Sequence, residues 1–274
     1  MELAPHEAEA LVGALATMAS GSTVPEGSSA GRGQTFYARR FKEALAMRFG
    51  ILVFPRVQQL DLTGPYEMFA TAKDSEVHLV WKDRSPLVAS TALELRPTTT
   101  FADCPKLDVL CVPGGAGVDA LLDDEETLAF LRVRAAEARY VTSVCTGSLV
   151  LAAAGLLAGK KATSHWNAID FLARFGAIPT PGRVVRDGNV ITAGGVTSGI
   201  DFGLAVIAEL YGRAEAERVQ LYLEYAPAPP FDAGTPETAP PEVLAALRAE
   251  LAGGRAAREA IVARRTGVAG LDER

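Results

Sequence analysis

Tyr140-Val-Thr-Ser-Val-Cys-Thr-Gly-Ser-Leu149 is a β-branched run that delivers Cys145 into the start of an apolar helix. Strand, tight turn, nucleophile, small residue and helix make up a nucleophile elbow, with Cys145-Thr-Gly in place of the serine form. Gly147 lets the turn and the helix pack closely. Helix-terminal N–H groups favour negative charge, which predicts a lowered thiol pKa and a thiolate as the working species. Cys145 is the candidate nucleophile, set against the plainer alternative of a buried cysteine closing a core strand. Cys111, inside an apolar strand, reads as packing, and Cys104 lies in a loop beside Pro105.

The elbow belongs to an alternating series of strands and helices that begins at Met47, the pattern of a parallel sheet with helices on both faces. Residues 48–55 predict the first strand, 64–73 a helix opened by Thr63 and Pro65, and 76–82 the second strand. Small edge strands follow over 93–97 and 98–102. Residues 107–112 are nearly all apolar, as in a strand buried on both faces, and Pro113-Gly-Gly-Ala-Gly ends it. Asp123-Asp-Glu-Glu opens a helix to about residue 138 with an acidic first turn that suits its dipole. Beyond the elbow come a short extended piece over 162–165, a helix over 167–175 and a hairpin through Asp187-Gly188 joining 183–186 to 189–192. Helices over 198–211 and 214–224 complete the series.

A proline-rich tail leads into a helical candidate over 241–265, whose Leu244, Leu247 and Leu251 share one face. At the other end, residues 1–46 read as an appendage with linker-like runs, Ser20-Gly-Ser-Thr and Gly27-Ser-Ser-Ala-Gly-Arg-Gly33, between two helical stretches. The expected division is an appendage over 1–46, a catalytic domain over 47–240 and a helical extension over 241–274. Met47, just before the first strong strand, is an alternative start of the functional unit.

Composition narrows the function. The chain has 274 residues and a formal charge of -6, with 33 acidic against 27 basic side chains, so it lacks the basic field that holds phosphate backbones; no nucleic-acid partner is expected. Three cysteines without a C-x-x-C pair fit a reducing compartment better than a disulfide framework or a structural zinc, which points to the cytoplasm and to no metal. No window has the length and apolarity of a membrane span, and the acidic start differs from a secretory signal.

Asp61, in Gln58-Gln-Leu-Asp-Leu-Thr-Gly-Pro-Tyr-Glu67, falls between the first strand and its helix, at the carboxyl edge of the sheet where α/β sites gather. It is either a proton-exchanging acid for a substrate held on Cys145 or a capping or solvated aspartate. Glu67, a turn further on, is a weaker candidate. Backbone amides after Cys145 and at Gly114 and Gly115 are placed to face developing negative charge. Gly115-Ala-Gly-Val-Asp-Ala120 also matches G-x-G-x-x-A, but it lies after several strands rather than in the first βα turn, so no dinucleotide or other cofactor is expected. His165 and Trp166 end an extended segment at the site edge and are candidates for substrate binding; His165 either tunes the thiolate or makes a structural hydrogen bond.

These pieces together resemble the ThiJ/PfpI branch of the class I glutamine-amidotransferase-like superfamily, and most closely its isonitrile hydratases. The resemblance spans residues 47–239 and rests on Phe54-Pro-Arg-Val-Gln-Gln-Leu-Asp-Leu-Thr-Gly-Pro65, Val112-Pro-Gly-Gly115, Ser143-Val-Cys-Thr-Gly147, Ala162-Thr-Ser-His-Trp-Asn167, Thr192-Ala-Gly-Gly195, Ser198-Gly-Ile-Asp201 and Tyr225-Ala-Pro-Ala-Pro-Pro-Phe231. It implies a flavodoxin-like three-layer sandwich and a homodimer. It also implies a cofactor-free site with Cys145 as nucleophile, Asp61 as proton-handling acid and Thr146 as an essential neighbour. Thr146 stands where PfpI-type peptidases carry histidine, and Trp166-Asn167 replace the late His-x-Glu of the amidotransferases. Both activities are thereby disfavoured.

The expected reaction is hydration of an isonitrile to an N-substituted formamide through a thioimidate on Cys145, with Asp61 first donating and then accepting a proton. The alternatives are a deglycase or glyoxalase-like activity, a redox-responsive cysteine protein, and a ligand-sensing domain related to AraC-type regulators. The last requires two helix-turn-helix units, for which the roughly thirty residues beyond Pro241 are too few.

Overall fold

The structure is a computed structural model that describes residues 46–267. Nearly all of the expected 1–46 appendage therefore lies outside the described residues. The first half of the chain order is β1 (Met47–Leu52), α1 (Gln59–Thr71), β2 (Ser75–Trp81), β3 (Leu87–Val88), β4 (Glu94–Leu95), β5 (Thr99–Thr100), β6 (Val109–Val112), α2 (Val118–Leu121) and α3 (Glu125–Glu137). There follow β7 (Tyr140–Val144), α4 (Gly147–Ala153), β8 (Lys161–Ala162), α5 (Phe171–Arg174), β9 (Ile178–Pro179), β10 (Val184–Asp187) and β11 (Val190–Ala193). The last helices are α6 (Ser198–Tyr211), α7 (Arg213–Tyr222) and α8 (Pro241–Thr266).

The main sheet has seven strands in the order β10-β11-β7-β6-β1-β2-β5. β6 runs parallel to both β1 and β7, and β7 runs parallel to β11; β10 is antiparallel to β11. Helices α1, α6 and α7 pack together on one face, while α2, α3, α4 and α5 cover the other. This is the expected three-layer flavodoxin-like sandwich with a mostly parallel sheet. β6 and β11 are buried at every position, which explains why their sequences carry no polar alternation. Phe69 of α1 stacks on Phe49 of β1, centroids 4.4 Å apart, and meets Phe202 of α6 edge-on, so one aromatic cluster binds a strand and two helices.

The strand order reverses at β1: the next strand, β2, lies on one side of it, and β6, parallel to it, lies on the other. The carboxyl ends of β1, β6 and β7 thus open onto one crevice, the usual ligand position in open α/β sheets. The segments that follow these three strands carry Asp61, Gly114-Gly115 and Cys145.

Several local expectations shift. Helix α1 starts at Gln59 rather than Gly64, which leaves Pro65 inside the helix and Asp61 in its first turn. Pro65 has no N–H to offer the carbonyl one turn back; burial of Asp61, Leu62 and Pro65 holds the extra turn despite that missing bond. The hairpin turns on Gly188-Asn189, one residue later than expected, because Gly188 supplies the positive φ (65°) that such a two-residue loop needs at its first position. The helix expected over 167–175 contracts to α5, preceded by turns. Helix α8 does not bury the leucine face: Leu247 is exposed, and Val262 is its one buried residue.

Candidate active site

Cys145 sits at φ 56°, a left-handed conformation that is costly for a residue with a Cβ. The surroundings hold it there. Its N–H donates to the carbonyls of Gly194 (2.8 Å) and Ala193 (3.0 Å), and its own carbonyl accepts from the hydroxyls of Ser164 (3.0 Å) and Ser148 (3.2 Å). Gly147 has no room for a side chain, because an added Cβ would lie 2.0 Å from the Val112 carbonyl oxygen. The strand, the left-handed residue and the close-packed glycine together give the turn that the sequence implied.

Asp61 is fully buried beside the thiol. Its Oδ2 accepts the Gly114 N–H at 2.9 Å, while Oδ1 is buried without a well-formed hydrogen bond. The Cys145 thiol lies within hydrogen-bonding range of this carboxyl, and each group changes the other's proton affinity. Burial pushes the Asp61 pKa up from 3.8 to about 7, opposed by the Gly114 N–H and then by the thiol.

For Cys145 the surroundings act against the acidification predicted from the helix start. Burial raises its pKa first and the neighbouring Asp61 charge raises it further; the Thr146 N–H and hydroxyl lower it only in part. The physical reason is that sulfur and carboxyl are desolvated together, and two negative charges cannot both be held there. The pair keeps a proton at neutral pH.

Thr146 is buried, and its Oγ1 accepts the Gly115 N–H at 3.1 Å, which turns the hydroxyl hydrogen toward the sulfur. Gly114 is wedged between Thr146 and Asp61: a Cβ there would lie 2.6 Å from both the Thr146 nitrogen and Oγ1 and 2.8 Å from Asp61 Oδ2. The amides of Gly114 and Gly115, expected to face developing charge, are instead already engaged in orienting the acid and the threonine. The same engagement leaves the glycine loop poorly suited to a pyrophosphate.

His165 is half-buried, follows Ser164 directly, and packs beside Gly195 and the Trp166 ring, centroids 5.3 Å apart. Its Nδ1 accepts the Asn167 N–H at 3.3 Å, and burial followed by the charge of Arg258 lowers its pKa, so the ring is neutral and acts as an acceptor. Glu67 is exposed to solvent. Cys111 is fully buried, its thiol pushed up to about 12 by burial, as suits a packing residue. None of the three cysteines forms a disulfide. Among the described residues no group of three or more His, Cys, Asp or Glu side chains is arranged to hold a metal ion, and no helix is long and apolar enough to cross a membrane.

Sequence reading missed Ser164, Ser148 and Gly194 as supports of the elbow. Ser164 and Gly194 fall inside Ala162-Thr-Ser-His-Trp-Asn167 and Thr192-Ala-Gly-Gly195, but nothing in those runs says that they reach the backbone of Cys145.

Comparison with known proteins agrees with this architecture. The model of the DJ-1/PfpI family matches residues 47–209. The chain is 64% identical over 200 residues to the isonitrile hydratase of Pseudomonas putida, covering 73% of this chain and 88% of that protein. A crystal structure of a ThiJ/PfpI family protein from Pseudomonas syringae superposes with a TM-score of 0.77 at 47% identity, covering 79% of this chain and 90% of that one. A weaker similarity, 31% over 140 residues, joins it to 37% of the HTH-type transcriptional regulator GbdR of Pseudomonas aeruginosa. With the strand–turn–helix at Cys145, the sheet order and the match over residues 47–209 in agreement, the chain belongs to the DJ-1/PfpI family.

Proposed function

We propose that the protein hydrates isonitriles to N-substituted formamides, with Cys145 as nucleophile, Asp61 as general acid and base, and Thr146 as the group that stabilises sulfur. The observation that carries this reading is the 64% identity to an isonitrile hydratase over 88% of that enzyme's length. The buried acid and thiol sharing a proton support the roles.

In the reactive form the carboxyl holds the proton and the sulfur is anionic, stabilised by the Thr146 N–H and hydroxyl. Asp61 gives its proton to the terminal carbon of R–NC as sulfur bonds to the same carbon, leaving a thioimidate and an Asp61 carboxylate. The carboxylate takes a proton from water as its oxygen adds to that carbon, and passes the proton to nitrogen. Collapse of the tetrahedral intermediate breaks the carbon–sulfur bond and returns the hydroxyl proton to Asp61. One water is consumed and one formamide released. The neutral rings of His165 and Trp166 form an uncharged wall suited to an apolar R group.

The test is to incubate the protein with cyclohexyl isocyanide and follow the formamide by NMR. Turnover that vanishes in Cys145→Ala supports the reading; turnover retained in that variant, or absent from the wild type, overturns it. We further propose a cytoplasmic homodimer with no nucleic-acid or membrane partner. Leu221, Tyr222 and Phe231, each more than 70% exposed, give a second copy an apolar surface to cover. A monomeric mass in sedimentation would remove the dimer.

A further inference from the structure

Helix α8 carries a set of charged contacts that the reaction does not use. Arg255, Arg258, Glu259 and the buried Val262 recur at spacings of three and four, and so share one face. Arg258 Nε donates to Asp119 Oδ1 at 2.6 Å, with the two side chains only 13% and 25% exposed. Arg255 donates to the Asn167 carbonyl (2.7 Å) and to Asp170 Oδ2 (2.5 Å), and its guanidinium lies 4.6 Å from the centre of the Phe171 ring. Arg174, almost wholly buried, pairs with Glu259 at 3.1 Å, and Arg264 pairs with Asp123.

The anchor points fall into two groups. Asp119 and Asp123 follow the loop whose Gly114 and Gly115 amides hold Asp61 and Thr146. Asn167 and Asp170 follow His165-Trp166, next to the Ser164 hydroxyl that holds the Cys145 carbonyl. One helix therefore ties together the two loops that flank the sulfur, and the Arg258 charge also helps keep His165 neutral.

We infer that α8 is a clamp that sets the width of the substrate pocket, with Arg258 and Arg255 as positioning residues that join the two flanking loops and so select isonitriles by the size of R. This inference rests on the isonitrile reading for its substrate class. Its geometry depends only on the loops and the helix. The Arg258–Asp119 pair is partly buried and the more exposed Arg255–Asp170 pair is bidentate, through Oδ1 (3.1 Å) as well as Oδ2, so each biases a loop position by a modest amount without deciding the stability of the fold.

The test compares full-length wild type with Arg258→Gln, Arg258→Lys and Arg255→Gln on methyl and cyclohexyl isocyanide. Release of the clamp relaxes size selection: the cyclohexyl-to-methyl ratio of kcat/KM rises about fivefold in Arg258→Gln, through KM rather than kcat, and Arg258→Lys recovers most of the wild-type ratio. An unchanged ratio in both glutamine variants overturns the clamp. So does an equal loss on both substrates that tracks a lowered melting temperature, the mark of a purely structural helix. Alkylation of Cys145 by iodoacetamide against N-cyclohexylmaleimide, read by peptide mass, makes the same comparison without isonitrile chemistry. A shifted alkylation ratio supports the clamp even where wild type shows no isonitrile turnover, the result that overturns the proposed function alone; an unchanged ratio overturns the clamp.

Discussion

Replacing Asp61 with Asn should stabilise the protein at neutral and alkaline pH while destroying its activity. The carboxyl is buried, and its pKa is raised from 3.8 to about 7 with burial as the leading cause. The native state thus holds a proton that the unfolded chain has already released across that window, so the contribution of Asp61 to stability is fully present below 3.8 and is lost as pH rises to about 7. At about 1.4 kcal/mol per tenfold change in proton affinity, the loss is on the order of 4 kcal/mol as an upper bound. Asparagine keeps the shape and an acceptor for the Gly114 N–H, and it does not ionise. The assay is urea unfolding of wild type and Asp61→Asn at several pH values between 4 and 8. The difference in unfolding free energy should grow in favour of the variant by a few kcal/mol as pH rises, then level off above about 7.5. Stability curves that run parallel across this range would refute the claim that a buried, proton-holding carboxyl faces Cys145.

Two further outcomes follow from the same site. Because the reactive form holds one proton on the acid–thiol pair, kcat/KM for cyclohexyl isocyanide should rise with pH up to about 7, approaching tenfold per pH unit, and level off above it; a profile that falls between pH 7 and 9 would remove the shared proton from the mechanism. Thr146→Val removes the hydroxyl that faces sulfur and should lower kcat roughly 10- to 100-fold, the worth of a hydrogen bond to a charged group, while Thr146→Ser keeps most of the rate; steady-state kinetics on both variants decides this.

The elbow was legible in ten residues because its requirements are local. A β-branched run makes the strand, an apolar run makes the helix, and a glycine two residues after the cysteine permits the close packing between them. The all-apolar run over 107–112 likewise announced a strand covered on both faces, and the acidic opening at Asp123 announced the helix that Asp124 caps through Thr127. Family resemblance in the motifs then marked Asp61 and Thr146.

Other features depend on groups distant in the chain. Helix α1 begins at Gln59, against the proline signal, because burial against the rest of the fold outweighs one missing hydrogen bond. The arginines of α8 could be read as a solvated face, since their partners at Asp119 and Asp170 lie more than eighty residues away. The proton affinity of the thiol is the clearest case. The sequence by itself determined that a cysteine stands at a strand–helix turn, because that follows from neighbouring residues. Only the tertiary structure decided that this thiol is held against a carboxylic acid out of contact with water, because desolvation depends on what the whole fold packs around a group, and here it overrides the pull of the helix start.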